Sequence, residues 1–116
     1  MLLYANPITE VYIIMALNIT KAAASDSLTL ALDGRLDTTT APQLEAELNA
    51  SMTAGVKSLV FDMEKLAYIS SAGLRVLLKA QKTMNKQGSM SIRNAGAEIL
   101  EIFEVTGFDE ILNIEK

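Results

Sequence analysis

Leu17-Asn18-Ile19-Thr20-Lys21 alternates apolar and polar positions, the pattern of a half-buried strand. Ala24-Ser25-Asp26 interrupts it. Leu28, Leu30 and Leu32 then alternate with Thr29, Ala31 and Asp33, which predicts a second strand and an antiparallel hairpin. Gly34 to Thr39 reads as a polar exit loop. Thr40-Ala41-Pro42-Gln43 predicts a helix start, with Thr40 as cap, Gln43 completing a capping box, and Pro42 in the first turn where it loses no helical bond. Leu44, Leu48 and Met52 recur every four residues and mark the buried face, while Glu45 and Glu47 face water and Gly55 ends the helix.

Ser58-Leu59-Val60-Phe61 runs apolar without alternation, as a strand paired in parallel at the sheet centre does. A connection from Asp62 to Ile69 leads to a second helix, Ser71 to about Gln87, with Leu74, Leu77, Leu78 and Met84 inward and Gly88 at C′. Met90 and Ile92 alternate in a fourth strand. A third helix covers roughly Gly96 to Thr106 and buries Ile99, Ile102 and Phe103, with Gly107-Phe108 as a Schellman close. Ile111 to Ile114 is expected to add a short last strand. The order ββαβαβαβ implies an α/β fold: a single domain over residues 17–116, with a mixed, mostly parallel sheet that opens with a β-hairpin and is covered by helices. Residues 1–16 form a leader or an extra strand, with an edge cover or a homodimer contact as its open roles.

The composition removes whole classes of chemistry. A net charge of −4 and an acidic pI near 4.7 argue against nucleic acid or anionic membranes as partners. With no cysteine and no histidine, disulfides, Cys-containing or His-containing zinc sites and Ser-His triads are absent, which rules out most familiar hydrolase chemistry, and the sequence marks no metal, cofactor or catalytic residue. Met1 to Glu10 lacks a basic n-region, and the apolar run Val11 to Leu17 is too short to span a bilayer, so a cytoplasmic protein is expected.

Candidate chemistry concentrates at Ile69-Ser70-Ser71-Ala72-Gly73-Leu74. A helix start leaves backbone N–H groups unpaired and carries partial positive charge, which suits a phosphate. A serine there either caps the helix, its ordinary role, or accepts a phosphoryl group that the terminus then holds. Ala72 and Gly73 keep the adjoining surface low for a close-approaching partner. In parallel βα units the loops leaving the strands gather on one edge, so Asp37-Thr38-Thr39, Asp62 and Ser70-Ser71 are expected to share a surface.

Leu32-Asp33-Gly34-Arg35-Leu36-Asp37, Thr40-Ala41-Pro42, Leu59-Val60-Phe61-Asp62 and Ile69-Ser70-Ser71-Ala72-Gly73-Leu74, taken in order, resemble a STAS domain of the bacterial anti-sigma-factor antagonist family. The resemblance implies a phosphorylation-switched regulator and not an enzyme. Unphosphorylated, it binds an anti-sigma factor that is a serine kinase and so frees a sigma factor; a serine phosphatase restores it. Carried over motif by motif, the phosphoacceptor falls on Ser71, with Ser70 as second choice. The partner surface comprises Asp37, Thr38, Ser70, Gly73 and Arg75. The family's common form has an Asp where Ser70 stands and a second hydroxyl where Ala72 stands. The final helix of many members does not appear by Lys116, so one face is expected to be less covered or to complete itself by oligomerisation. Three other readings compete. One is a STAS subunit of a transporter-associated or stressosome-like assembly without sigma control. Another is a response-regulator receiver phosphorylated on Asp62, which lacks the needed acidic pair after the first strand. The last is an enzyme using Ser71 without a histidine base.

Overall fold

The structure, a computed structural model, describes residues 17–115; the leader assigned to residues 1–16 lies outside the described residues. Strands β1 (Asn18–Ala24) and β2 (Ser27–Leu36) form the expected hairpin, turning through Ser25 at φ 56°. Helix α1 (Ala41–Ser51), strand β3 (Ser58–Ile69), helix α2 (Ser71–Gln87), strand β4 (Ser89–Arg93) and helix α3 (Ala97–Thr106) follow. The sheet order is β1-β2-β3-β4, with β1/β2 antiparallel and β2/β3 and β3/β4 parallel. Ser58–Phe61 therefore lies in a strand paired in parallel on both sides, as its unbroken apolar run requires.

Register sets the core. Leu28, Leu59 and Met90 pair across three strands on one face, as do Leu30, Phe61 and Ile92. All six are buried in one cluster with Leu44 and Leu48 of α1, Leu74, Leu77 and Met84 of α2, and Ile99 and Phe103 of α3. Each such side chain removed from water contributes about 1.5–3 kcal/mol. Gly88 follows α2 because a Cβ there would lie 2.0 Å from the Lys57 carbonyl oxygen.

Several expectations need correction. Gly34, Arg35 and Leu36 belong to β2 and not to an exit loop: the register shifts around Asp33 and Gly34 (φ 117°), and the strand continues until Leu36 is fully buried. Asp62 is mid-strand, because β3 runs twelve residues to Ile69. Beyond Met63 the buried positions of β3, Leu66 and Ile69, are three apart, and this broken alternation hid the strand. The capping box does not form: Thr40 makes no capping hydrogen bond to α1, and Gln43 donates to the Leu17 carbonyl. Helix α1 ends at Ser51 with Met52 as its C-cap, three residues before Gly55. The expected last strand reduces to one parallel bridge between Ile92 and Ile114, after a 3₁₀ turn at Phe108–Glu110. Gly107 does close α3 in the left-handed conformation, at φ 81°.

Candidate functional site

The end of β2 and the start of α2 are joined by one hydrogen bond, from the Ser70 N–H to the Leu36 carbonyl at 2.9 Å. Ser70 is the N-cap: its backbone is extended (φ −100°, ψ 175°), and its hydroxyl accepts the Gly73 N–H at 3.4 Å. Ser71 is the first helical residue and is exposed; among the described residues its hydroxyl makes no hydrogen bond. Capping therefore falls to the first serine of the pair, leaving the second without a bonded hydroxyl among the described residues. Gly73 is buried against β2, where only a residue without Cβ fits, so it serves the packing of the helix onto the strand and does not form the low partner surface expected of it.

Asp37 organises the facing turn. Its carboxylate oxygen Oδ1 accepts the Thr39 and Thr40 N–H groups at 3.0 and 3.1 Å, and its carbonyl accepts the Ala41 N–H at 2.7 Å. Thr40, buried, donates its hydroxyl to the Arg35 carbonyl at 2.7 Å and accepts the Asp37 N–H at 2.9 Å. This turn supplies the N-terminal pairing for α1 that a capping box would otherwise give. The Arg35 Nε lies 3.6 Å from Asp37 Oδ2, and its guanidinium stacks 4.4 Å from the centre of the Tyr68 ring. Burial alone would raise the Asp37 carboxyl. The Thr40 and Thr39 N–H groups, the Thr40 hydroxyl and the Arg35 charge outweigh it and hold the group below its ordinary value.

Asp37, Thr38, Ser70, Ser71 and Gly73 thus come together at one edge of the sheet. Arg75, exposed one turn into α2, lines a groove of about 470 Å³ between α1 and α2 that also reaches Thr38. Asp62 does not join them: seven residues of β3 separate it from Ser70, roughly 25 Å at strand rise. Its Oδ1 instead accepts the Asn94 amide at 3.1 Å and the Glu64 N–H. The Arg35–Tyr68 stack escaped sequence reasoning because its partners lie 33 positions apart in segments read as loop. The cations Lys79 and Lys82 on the groove also escaped, although their helical spacing from Arg75 was visible. Among the described residues no cluster of three or more acidic, His or Cys side chains is arranged to hold a metal ion. No described helix is long and apolar enough to cross a membrane.

This α/β architecture is that of anti-sigma factor antagonists of known structure. One from Mycobacterium paratuberculosis superposes with a TM-score of 0.77 at 20% identity, covering 85% of each chain. The phosphorylated form of SpoIIAA, a Bacillus cell fate determinant, superposes with a TM-score of 0.66 at 16% identity over 87% of this chain and 92% of its own. In sequence, BtrV of Bordetella bronchiseptica, which carries the name of an anti-sigma factor antagonist, is 39% identical over 84 residues, 72% of each chain. A profile of the STAS domain matches residues 18–116, and the chain belongs to that family.

Proposed function

We propose that this chain is an anti-sigma-factor antagonist acting in the cytoplasm as a binding switch and not as an enzyme. In its unphosphorylated form it binds an anti-sigma factor serine kinase, and the bound kinase releases its sigma factor. Phosphorylation of Ser71 ends the interaction, and a serine phosphatase restores it. The observation that carries this reading is the split between the serines. Ser70 holds the helix start with its hydroxyl, while Ser71 presents an exposed hydroxyl beside unpaired helical N–H groups.

A phosphoryl group on Ser71 adds close to two negative charges where the helix terminus and Arg75 favour them, so the fold accommodates it. A partner docked over Asp37, Thr38, Ser70 and Arg75 does not, because bulk and charge enter the interface. The test is mass spectrometry of the chain after incubation with the kinase and ATP, alongside kinase binding by Ser71→Ala and Ser71→Asp. Label on Ser71, tight binding by the Ala variant and weak binding by the Asp variant are expected. Label on Ser70 alone, or equal binding by both variants, overturns the assignment.

A further inference from the structure

Helix α2 carries four of the chain's ten Lys and Arg residues and none of its fourteen Asp and Glu residues. Arg75, Lys79, Lys82 and Lys86 fall at i, i+4, i+7 and i+11, a single stripe along one face. The helix field accounts only for Lys86, in the last turn; Arg75 stands in the N-terminal half and Lys79 at the midpoint, where a cation gains nothing from it. Three of the four cations line the groove between α1 and α2, whose floor is apolar: Ala41 and Val76 are buried and Leu78 is half-buried. Lys79 reaches across to Glu45 of α1 at 2.7 Å, an exposed pair. Arg75 and Lys82 make no ion pair among the described residues.

We propose that this groove receives an acidic amphipathic helix of the protein partner, its apolar face on Ala41, Val76 and Leu78 and its carboxylates on Arg75 and Lys82. The inference rests on the switch reading, because the groove reaches Ala72, the residue after Ser71, and it adds the chemistry of what docks there. An apolar floor selects a protein segment over a polyphosphate or a nucleic-acid backbone, neither of which offers apolar side chains. Glu45 occupies Lys79 in the free protein, so an incoming carboxylate exchanges with it. Phosphorylated Ser71 acts on the same rim, drawing Arg75 away and repelling acidic side chains.

The test uses the full unmodified chain and a fluorescent amphipathic model peptide with leucine on one face and glutamate on the other, with a leucine/lysine peptide as control. The glutamate peptide is expected to bind and the lysine peptide not to, with amide shifts centred on Thr38, Glu45, Ala72, Arg75, Val76 and Lys82. Arg75→Glu with Lys82→Glu is expected to weaken binding at least about fivefold while keeping the thermal melt, and Glu45→Gln to tighten it about two- to fivefold. Equal binding of both peptides, shifts centred elsewhere, or an unchanged affinity in the Glu45→Gln variant overturns the proposal. A large gain in affinity on removing residues 1–16 also overturns it, since the chain's own leader would then be the occupant. A labelled Ser71 with no peptide in the groove sinks the groove alone, and a bound peptide with no label on the chain sinks the switch alone.

Discussion

Gly73 meets Leu36 so closely that a Cβ on Gly73 would sit 2.7 Å from Leu36 Cγ and 3.0 Å from the Leu36 carbonyl oxygen. The same carbonyl accepts the Ser70 N–H, so the helix start is pressed onto the end of β2 by contact and by hydrogen bond. The position of Ser71 relative to Asp37 is fixed through this junction.

Gly73→Ala overfills that junction and is expected to cost about 1–3 kcal/mol. Thermal melting should show a drop of several degrees, and amide shifts should move in the Asp37–Thr40 turn as well as in α2. A melt unchanged from the parent chain would mean that the junction yields without cost.

Gly88→Ala is expected to cost more than Gly73→Ala. The added Cβ meets the Lys57 backbone at 2.0 Å to oxygen and 2.6 Å to carbon, and backbone cannot step aside as the Leu36 side chain can. Denaturant unfolding of the two variants ranks them directly.

The two serines should separate in stability measurements. Ser70→Ala loses the cap and about 0.5–1 kcal/mol. Ser71→Ala stays within about half a kcal/mol of the parent, since its exposed hydroxyl bonds to nothing in the described structure. The reverse order in urea titrations would move the cap to Ser71.

Asp37 predicts a pH dependence with a definite sign. Its folded carboxyl titrates below its unfolded counterpart. The stability it contributes is therefore fully present above the ordinary aspartate range and is lost as pH falls through about 4 and then through the lower folded value. The stability difference between the parent chain and Asp37→Asn should be constant at neutral pH and shrink in that acid window. A difference independent of pH down to strong acid would contradict the turn's hydrogen bonding.

A chain beginning at Met15 is expected to unfold in one cooperative transition. The core described above closes on itself from Leu17 to Leu112, with Leu17 buried and its carbonyl bonded to Gln43. Coincident far-UV and near-UV melts test this.

The fold was legible wherever one period dominated. Leu28, Leu30 and Leu32, and Leu44 and Leu48, announce a strand and a helix because a single face of each is buried. Legibility failed where a bulge changed the period, at Gly34–Leu36 and at Glu64–Tyr68, since the sheet continued under a pattern that no longer alternated. The misplacement of Asp62 followed from that failure. At the site, Ser70, Ser71 and Gly73 were readable as a helix start. The Asp37–Thr40 turn looked like a capping box because a Thr-x-x-Gln spacing can be satisfied by two different hydrogen-bond schemes, and only the buried bond from the Thr40 hydroxyl to the Arg35 carbonyl decides between them.

Because the Ser70 side chain caps the helix start and the Ser71 hydroxyl bonds to nothing among the described residues, Ser71 adds little to folding. Selection can then tune the second serine and its surroundings for recognition without drift in the melting temperature, and tune the first for robustness without touching the signal. A site with that independence also stores no preference of its own. If Ser71 carries the phosphoryl group, the ratio of the two forms in a cell reports the balance of the enzymes that write and erase it.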